Sequence, residues 1–123
     1  MSLECAQVIL NSSDVLRARD FYVDRLGFSL VEEFPESFSF RAGAVRYTVT
    51  PGGRALGEDD PSNTTIIFRI SNLEQAVKAY EAKGVVFLSE ITLAPGFMKF
   101  ITLLDPDNNP LMLGEYLKDP LIR

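Results

Sequence analysis

The sequence predicts an α+β fold of two βαβββ modules, with eight strands around a cleft and the helices outside. Two observations predict it: a helix-like segment recurs at about half the chain length, and strand-like segments flank both copies in the same order. The chain has 123 residues, which is enough for one compact domain with a real core. We therefore expect a single domain over residues 1–123, with modules at about 4–50 and 64–116 and a linker at about 51–63.

The repeat is clearest in the two predicted helices. Residues 13–22 match residues 71–80 in character, at a constant offset of 58. In each copy the apolar residues fall on one helical stripe, as in a helix that packs on a sheet. The first stripe holds Val15, Ala18, Tyr22 and Leu26, and the second holds Leu73, Ala76, Val77 and Tyr80.

Capping residues predict where these helices begin and end. Ser13 or Asp14 is placed to cap the first helix, and Ser71 with Glu74 three residues later matches a capping box for the second. Glycines follow both helices and predict left-handed C-terminal caps. These glycines are Gly27 and Gly84.

The strand-like segments give each module four strands. Turn residues separate them, including the run from Asp105 to Asn109. A helix on one face of each sheet leaves the other face available to a cleft and a ligand. The predicted strands are 4–10, 28–34, 37–41 and 44–50 in the first module, and 64–70, 85–93, 97–104 and 111–116 in the second.

Composition excludes several classes of function. The chain has no histidine and one cysteine, so imidazole or thiolate sites for zinc and iron and histidine-dependent nucleophiles are absent from it. Its net charge of −5 argues against a nucleic-acid partner, because phosphate binding needs a basic surface. No apolar run is long enough to span a membrane. An acidic surface would attract a cation, but it also serves solubility alone.

The single cysteine, Cys5, has no partner for an internal disulfide. This favours a cytoplasmic location. With no histidine to activate it, Cys5 is expected to be a small buried thiol.

Two motifs indicate a fold family. The first combines Asp14, Tyr22 and the run Leu26-Gly27-Phe28, and the second runs from Asp105 to Leu113. Together they resemble the vicinal oxygen chelate superfamily, which includes glyoxalase I, bleomycin resistance proteins and extradiol dioxygenases. The second motif is similar to the family's final hairpin, with Asn108 where glycine is usual. The resemblance spans nearly the whole chain and implies the paired-module fold.

The resemblance also implies where a metal site would lie. The four ligand positions of glyoxalase I fall at Gln7, near Tyr47, at Thr65 and at Met112. Only Gln7 has an ordinary ligand side chain, and Glu115 is expected to face away from Met112. The dioxygenase site needs two histidines and is excluded. We therefore expect no metal and no cofactor.

Alternation along the strands suggests which residues would line a ligand cleft instead. Gln7, Tyr47 and Thr65 are expected on its surface, beside an adaptable methionine, an arginine and two phenylalanines that could stack on a ring. A filled sheet interior without a pocket is the alternative. The candidate ligand-binding residues are Gln7, Tyr47, Thr65, Met112, Phe38, Phe40 and Arg69.

The expected function is metal-independent binding of a small aromatic or cationic organic molecule in this cleft, by a homodimer that resembles bleomycin resistance proteins. No nucleic-acid or membrane partner is expected. One alternative is a metal-independent lyase or isomerase that uses Tyr47, Gln7 or Glu115. The other is a non-catalytic interaction module with a filled cleft. The catalytic residues of such an enzyme are not assigned by the sequence.

Overall fold

Eight strands form two four-stranded sheets in the computed structural model, which describes residues 2–121. The first module consists of β1 Gln7–Ser12, α1 Val15–Arg19, a π-helical segment Asp20–Arg25, β2 Ser29–Glu33, β3 Phe38–Ala42 and β4 Val45–Pro51. The second consists of β5 Ile66–Arg69, α2 Leu73–Ala82, β6 Thr92–Ala94, β7 Met98–Leu104 and β8 Pro110–Tyr116. This confirms the α+β prediction.

The two sheets have the same topology. Their strand orders are β1-β4-β3-β2 and β5-β8-β7-β6, and in each sheet the first strand of the module runs parallel to the last. The helices repeat as well. The backbone oxygen of Tyr22 accepts from Phe28 N at 3.1 Å, and that of Tyr80 accepts from Val85 N at 3.0 Å. The sequence repeat is therefore a structural repeat.

Helix one begins as predicted and then widens. The Asp14 side chain accepts a hydrogen bond from Arg17 N at 3.1 Å and caps α1. The following π-helical segment closes with Leu26 N bonded to Phe21 O at 2.9 Å. A wider turn lets two consecutive aromatic residues face the core, and Phe21 and Tyr22 are both buried. The sequence stripe predicted only Tyr22 of this pair.

Three local predictions are wrong. The cap of α2 is Asn72, whose side chain accepts from Gln75 N at 3.1 Å, while Glu74 reaches Lys99 Nζ at 3.3 Å instead of closing a capping box. The strand expected over 85–93 is reduced to β6 and an isolated bridge at Phe87. Cys5 is exposed, because β1 begins only at Gln7 and leaves the preceding residues outside the sheet.

Two carboxylates in the β7–β8 turn join the modules. Asp105 accepts from the Tyr22 hydroxyl at 2.7 Å, and Asp107 accepts from the Ser12 hydroxyl at 2.8 Å and from the Ser13 backbone and hydroxyl. Both aspartates are buried. These contacts link residues more than 80 positions apart. We call this group of five residues the inter-module clasp.

The turn itself needs a left-handed residue. Asn108 has a φ of 64°, which asparagine tolerates better than most residues other than glycine. Asp105 also accepts from Asp107 N and Asn109 N, at 2.9 and 2.8 Å, so one carboxylate both shapes the turn and holds the helix.

We expect Tyr22→Phe to lower the free energy of unfolding by about 1.5–3 kcal/mol, since it removes a hydrogen bond to a buried carboxylate. Burial, together with the Asp105 carboxylate beside it, raises the pKa of the Tyr22 phenol above 10.0. The folded state therefore keeps this proton after the unfolded state has lost it, and this contribution to stability is complete below pH 10 and falls above it.

Urea unfolding at pH 8 and above pH 10 measures both effects. Wild type should lose about 1.4 kcal/mol per pH unit above 10 from this residue, and Tyr22→Phe should not. Tyr116→Phe is the control, because Tyr116 lies on the opposite side of its sheet from the helices. Equal alkaline slopes for wild type and Tyr22→Phe would contradict the assignment.

Candidate functional site

Each sheet has one face against its helix and one open face. Along β1, Val8 and Leu10 pack on the core, while Gln7, Ile9 and Asn11 are exposed. Ile9 keeps 58% of its surface exposed although it lies in the middle of the strand. This open face is the side of the sheet that was predicted from the sequence to line a cleft, and in the structure it is uncovered.

Tyr47 lies on the core face and not on the face of Gln7. The parallel register pairs Val8 with Tyr47 and Gln7 with Arg46. The Tyr47 ring is stacked on Phe40, with centroids 5.2 Å apart and planes within 5°, and it also contacts Phe68. The expected shared facing of Gln7 and Tyr47 is therefore wrong, because adjacent residues of a strand point to opposite faces.

Phe38 and Phe40 belong to the same core. They are 1% and 0% exposed, and Phe40 also stacks on Tyr22 at 5.0 Å. Burial raises the pKa of the Tyr47 phenol. These three aromatic rings form the filled interior that the sequence left as an alternative, on the helix side of the sheet.

A polar network occupies the place on the open face where Tyr47 was expected. The Thr48 hydroxyl donates to Gln7 Oε1 at 2.5 Å and lies 2.9 Å from the Ser39 hydroxyl. Arg46 donates to Glu32 Oε1 at 2.8 Å and to Thr48 at 3.4 Å. Sequence reasoning missed these residues, although the apolar alternation of β4 already indicated that its even-numbered residues face away from the core.

The open face of the second sheet is more apolar. Ile67 is 38% exposed and lies beside Gly114, where an added Cβ would be 3.2 Å from the Ile67 side chain and 3.3 Å from Met98 Sδ. Met112 pairs with Ile67 in the register. Arg69 lies on the same face, with its guanidinium 5.3 Å from the Tyr116 ring. Thr65 is exposed just before β5.

Glu115 faces away from this surface, as the sequence predicted. Its Oε1 accepts from Leu73 N at 2.9 Å, and its Oε2 lies 3.7 Å from Lys99 Nζ. The carboxylate therefore stabilises the first turn of α2. It is not available to Met112 or to a ligand on the open face.

The open faces do not fit a transition metal. Gln7 Oε1, the one ordinary ligand atom at the four expected positions, already accepts from Thr48. Thr65 and Met112 supply no anionic ligand. Among residues 2–121, no three side chains of His, Cys, Asp or Glu come together as a metal site.

Three surface cavities lie away from most of the predicted site. The largest, of about 690 Å³, lies between the first helix and the segment after α2, and Leu16, Val86 and Leu88 line it. Arg69 alone of the seven candidate residues borders one of the three, a cavity of about 310 Å³. The open faces are shallow surfaces in this single chain.

Residues 5–113 match the model of the Glyoxalase/Bleomycin resistance protein/Dioxygenase superfamily. The chain belongs to this superfamily. A comparison with curated proteins gave no match. The vicinal oxygen chelate resemblance is thereby confirmed at the level of the family.

Solved structures show the same fold at low sequence identity. A glyoxalase/bleomycin resistance protein/dioxygenase from Alicyclobacillus acidocaldarius is 19% identical, with a TM-score of 0.78, covering 98% of this chain and 96% of that one. A lactoylglutathione lyase from Agrobacterium tumefaciens is 17% identical, with a TM-score of 0.72 and coverage of 90% and 92%. TnmS3, an antibiotic binding protein from Streptomyces sp. CB03234, is 18% identical, with a TM-score of 0.74 and coverage of 92% and 95%. No helix within residues 2–121 is long and apolar enough to cross a membrane.

We expect Tyr47→Ala to destabilise this superfamily member by about 3–5 kcal/mol, because it removes a buried ring from the aromatic stack. Tyr47→Phe keeps the ring and should cost less than about 1.5 kcal/mol. Urea unfolding of the pair distinguishes a core residue from a binding residue. A Tyr47→Ala protein as stable as wild type would contradict the core assignment.

Proposed function

We propose that the chain binds a small organic molecule on the open sheet faces without a transition metal. The observation that carries the proposal is the mixed polar and apolar surface opposite the helices, where Gln7 and Ile9 lie exposed. Such a mixture suits ligands with a ring or chain and a few polar atoms. Of the residues expected from the sequence, Gln7, Thr65, Met112 and Arg69 remain candidates.

The proposal includes a homodimer. The open face of one chain is shallow, and a second copy would convert it into an enclosed cleft. Exposed Ile67, at 38%, is the kind of apolar surface that a partner covers. We treat each chain as one domain because the two modules share a core: the ring centroids of Phe28 in the first module and Phe68 in the second lie 4.8 Å apart. The single cysteine is exposed, and an exposed thiol suits a reducing compartment, so we propose a cytoplasmic location.

The hydrogen bonding of the two buried carboxylates favours a binding role over a lyase or isomerase activity. All four oxygens of Asp105 and Asp107 already accept hydrogen bonds from the chain. A general base needs a lone pair that reaches the substrate. These two residues are therefore structural. TnmS3, described as an antibiotic binding protein, has the same fold and supports a binding role in the proposal.

A ligand screen followed by NMR shift mapping tests this function. Aromatic compounds that raise the melting temperature should perturb the amides of Gln7, Thr48 and Met112. Met112→Ala should weaken binding about tenfold, since it removes an adaptable apolar wall. Leu16→Ala, in the helix-side cavity, is the matched control. Shifts confined to Leu16, Val86 and Leu88 would contradict the proposal.

Elemental analysis tests the metal-free part. Protein purified without a histidine tag should contain far less than one zinc, nickel or iron per chain, because Gln7 Oε1 is engaged and Thr65 and Met112 cannot replace missing ligands. A near-equimolar transition metal that resists a chelator would show that this account of the open face is wrong.

Sedimentation tests the dimer. We expect a twofold dimer at micromolar concentration, with an interface above about 1,000 Å². Ile67→Arg should shift the protein toward monomer, because it places a charge on a covered apolar surface. Leu16→Arg, on the helix side, should leave the dimer intact. Monomeric wild type would contradict the expectation.

A further inference from the structure

The open face of the first sheet presents mainly hydrogen-bond donors. The oxygen of Gln7 accepts from the Thr48 hydroxyl at 2.5 Å, and the oxygen of Asn11 accepts from the Thr50 hydroxyl at 2.9 Å. Each amide therefore has its oxygen occupied by the neighbouring strand. The NH₂ group of each, with two donors, remains for a ligand.

The hydroxyl groups of Ser39 and Thr48 add few free hydrogen-bond acceptors to this face. Ser39 is fully buried and its Oγ lies 2.9 Å from Thr48 Oγ1, so the two hydroxyls use part of their capacity on each other. Thr48 Oγ1 also accepts a hydrogen bond from Arg46 Nε at 3.4 Å. Thr48 gives its one hydrogen to Gln7, so its oxygen accepts from both Ser39 and Arg46 and is used within the sheet. The Ser39 oxygen is buried, and Thr50 Oγ1 keeps acceptor capacity on this face.

The charges on the face are also mostly positive. Arg41 and Arg46 are direct neighbours across β3 and β4, and both side chains project to the side of Gln7. Glu32 neutralises Arg46 through a bond of 2.8 Å. Arg41 forms no ion pair with another residue of the described chain 2–121. The face is therefore cationic although the whole chain has a net charge of −5.

We propose that the molecule bound on this face is an anion, with a carboxylate or phosphate group placed on Arg41, Arg46 and the amide donors and an apolar body on Ile9. This inference rests on the proposed function and names its ligand class. It replaces the cationic ligand that overall acidity had suggested. A guanidinium matches the oxygens of either group through paired donors. A cation would instead meet two arginines and exposed NH₂ groups.

Four probe ligands that share one ring system but differ in charge distinguish the effect of ligand charge on binding from the effect of ligand shape. The probes are 2-naphthoate, 2-naphthyl phosphate, 2-naphthamide and protonated 2-naphthylmethylamine, and calorimetry measures their affinities at low salt. At least one anion should bind about tenfold more tightly than the amide, and the amine should bind most weakly. The tighter of the two anions identifies the carboxylate or the phosphate source. Raising the salt concentration should reduce the anion preference, because the face is open to solvent.

Charge variants assign the preference to this face. Arg41→Gln and Arg46→Gln should each remove most of the anion preference, and Glu32→Gln should increase it by freeing Arg46. Arg54→Gln is the matched control, since Arg54 pairs with Asp60 in the segment between the modules and not on the face. Thermal melts verify that each variant is folded. If an arginine variant is unfolded, Glu32→Gln still tests the anion inference, because it predicts a gain of affinity.

The outcomes separate this inference from the function on which it rests. Equal or tighter binding of the amide or the amine, mapped by NMR to Gln7 and Thr48, would overturn the anion inference and leave the binding function intact. An anion preference that survives Arg41→Gln and Arg46→Gln but is lost in Arg54→Gln would also overturn it. Failure of all four probes to bind would count against the binding function itself.

Discussion

The inter-module clasp is the constraint on which the rest of the fold depends. Asp105 and Asp107 are buried at 6% and 3% exposure and place four oxygens where Tyr22, Ser12 and Ser13 can donate to them. A buried carboxylate without such donors would be strongly destabilising. The clasp therefore fixes the first helix against the end of β7, and with it the position of the Tyr22 ring over the first sheet.

That ring starts an aromatic stack which decides what each sheet face can do. Tyr22 stacks on Phe40, Phe40 on Tyr47, and Tyr47 contacts Phe68 of the second module. The stack uses the large apolar side chains of β3 and β4 for the core. The opposite face is left to Ser39, Arg46 and Thr48, which bond to one another and to Gln7. Core formation and a polar open face are consequences of the same strand alternation.

The residues of the open face do not match the metal site that the superfamily resemblance implied. A position that could supply a ligand oxygen, Gln7, has that oxygen bonded to Thr48. Arg46 lies beside it, and a guanidinium next to a site disfavours a bound cation. The same arrangement leaves amide and guanidinium donors directed outward. A surface of this kind is suited to an acceptor-rich molecule.

The sequence by itself determined the repeat, the C-terminal ends of the helices and the turn, because these depend on local chemistry: Gly27 and Gly84 adopt φ of 80° and 84°, and Asn108 adopts 64°. It also placed Glu115 correctly, by parity within one strand. Only the tertiary structure decided that Thr48, and not Tyr47, faces Gln7. Facing across two strands depends on the register between β1 and β4, which are more than 30 residues apart in the chain, and a shift of one residue exchanges the two faces. The apolar alternation of β4 indicated that its even-numbered residues face away from the core. In β1, however, Val8, Ile9 and Leu10 are all apolar, so the local pattern does not show which face of β4 Gln7 shares.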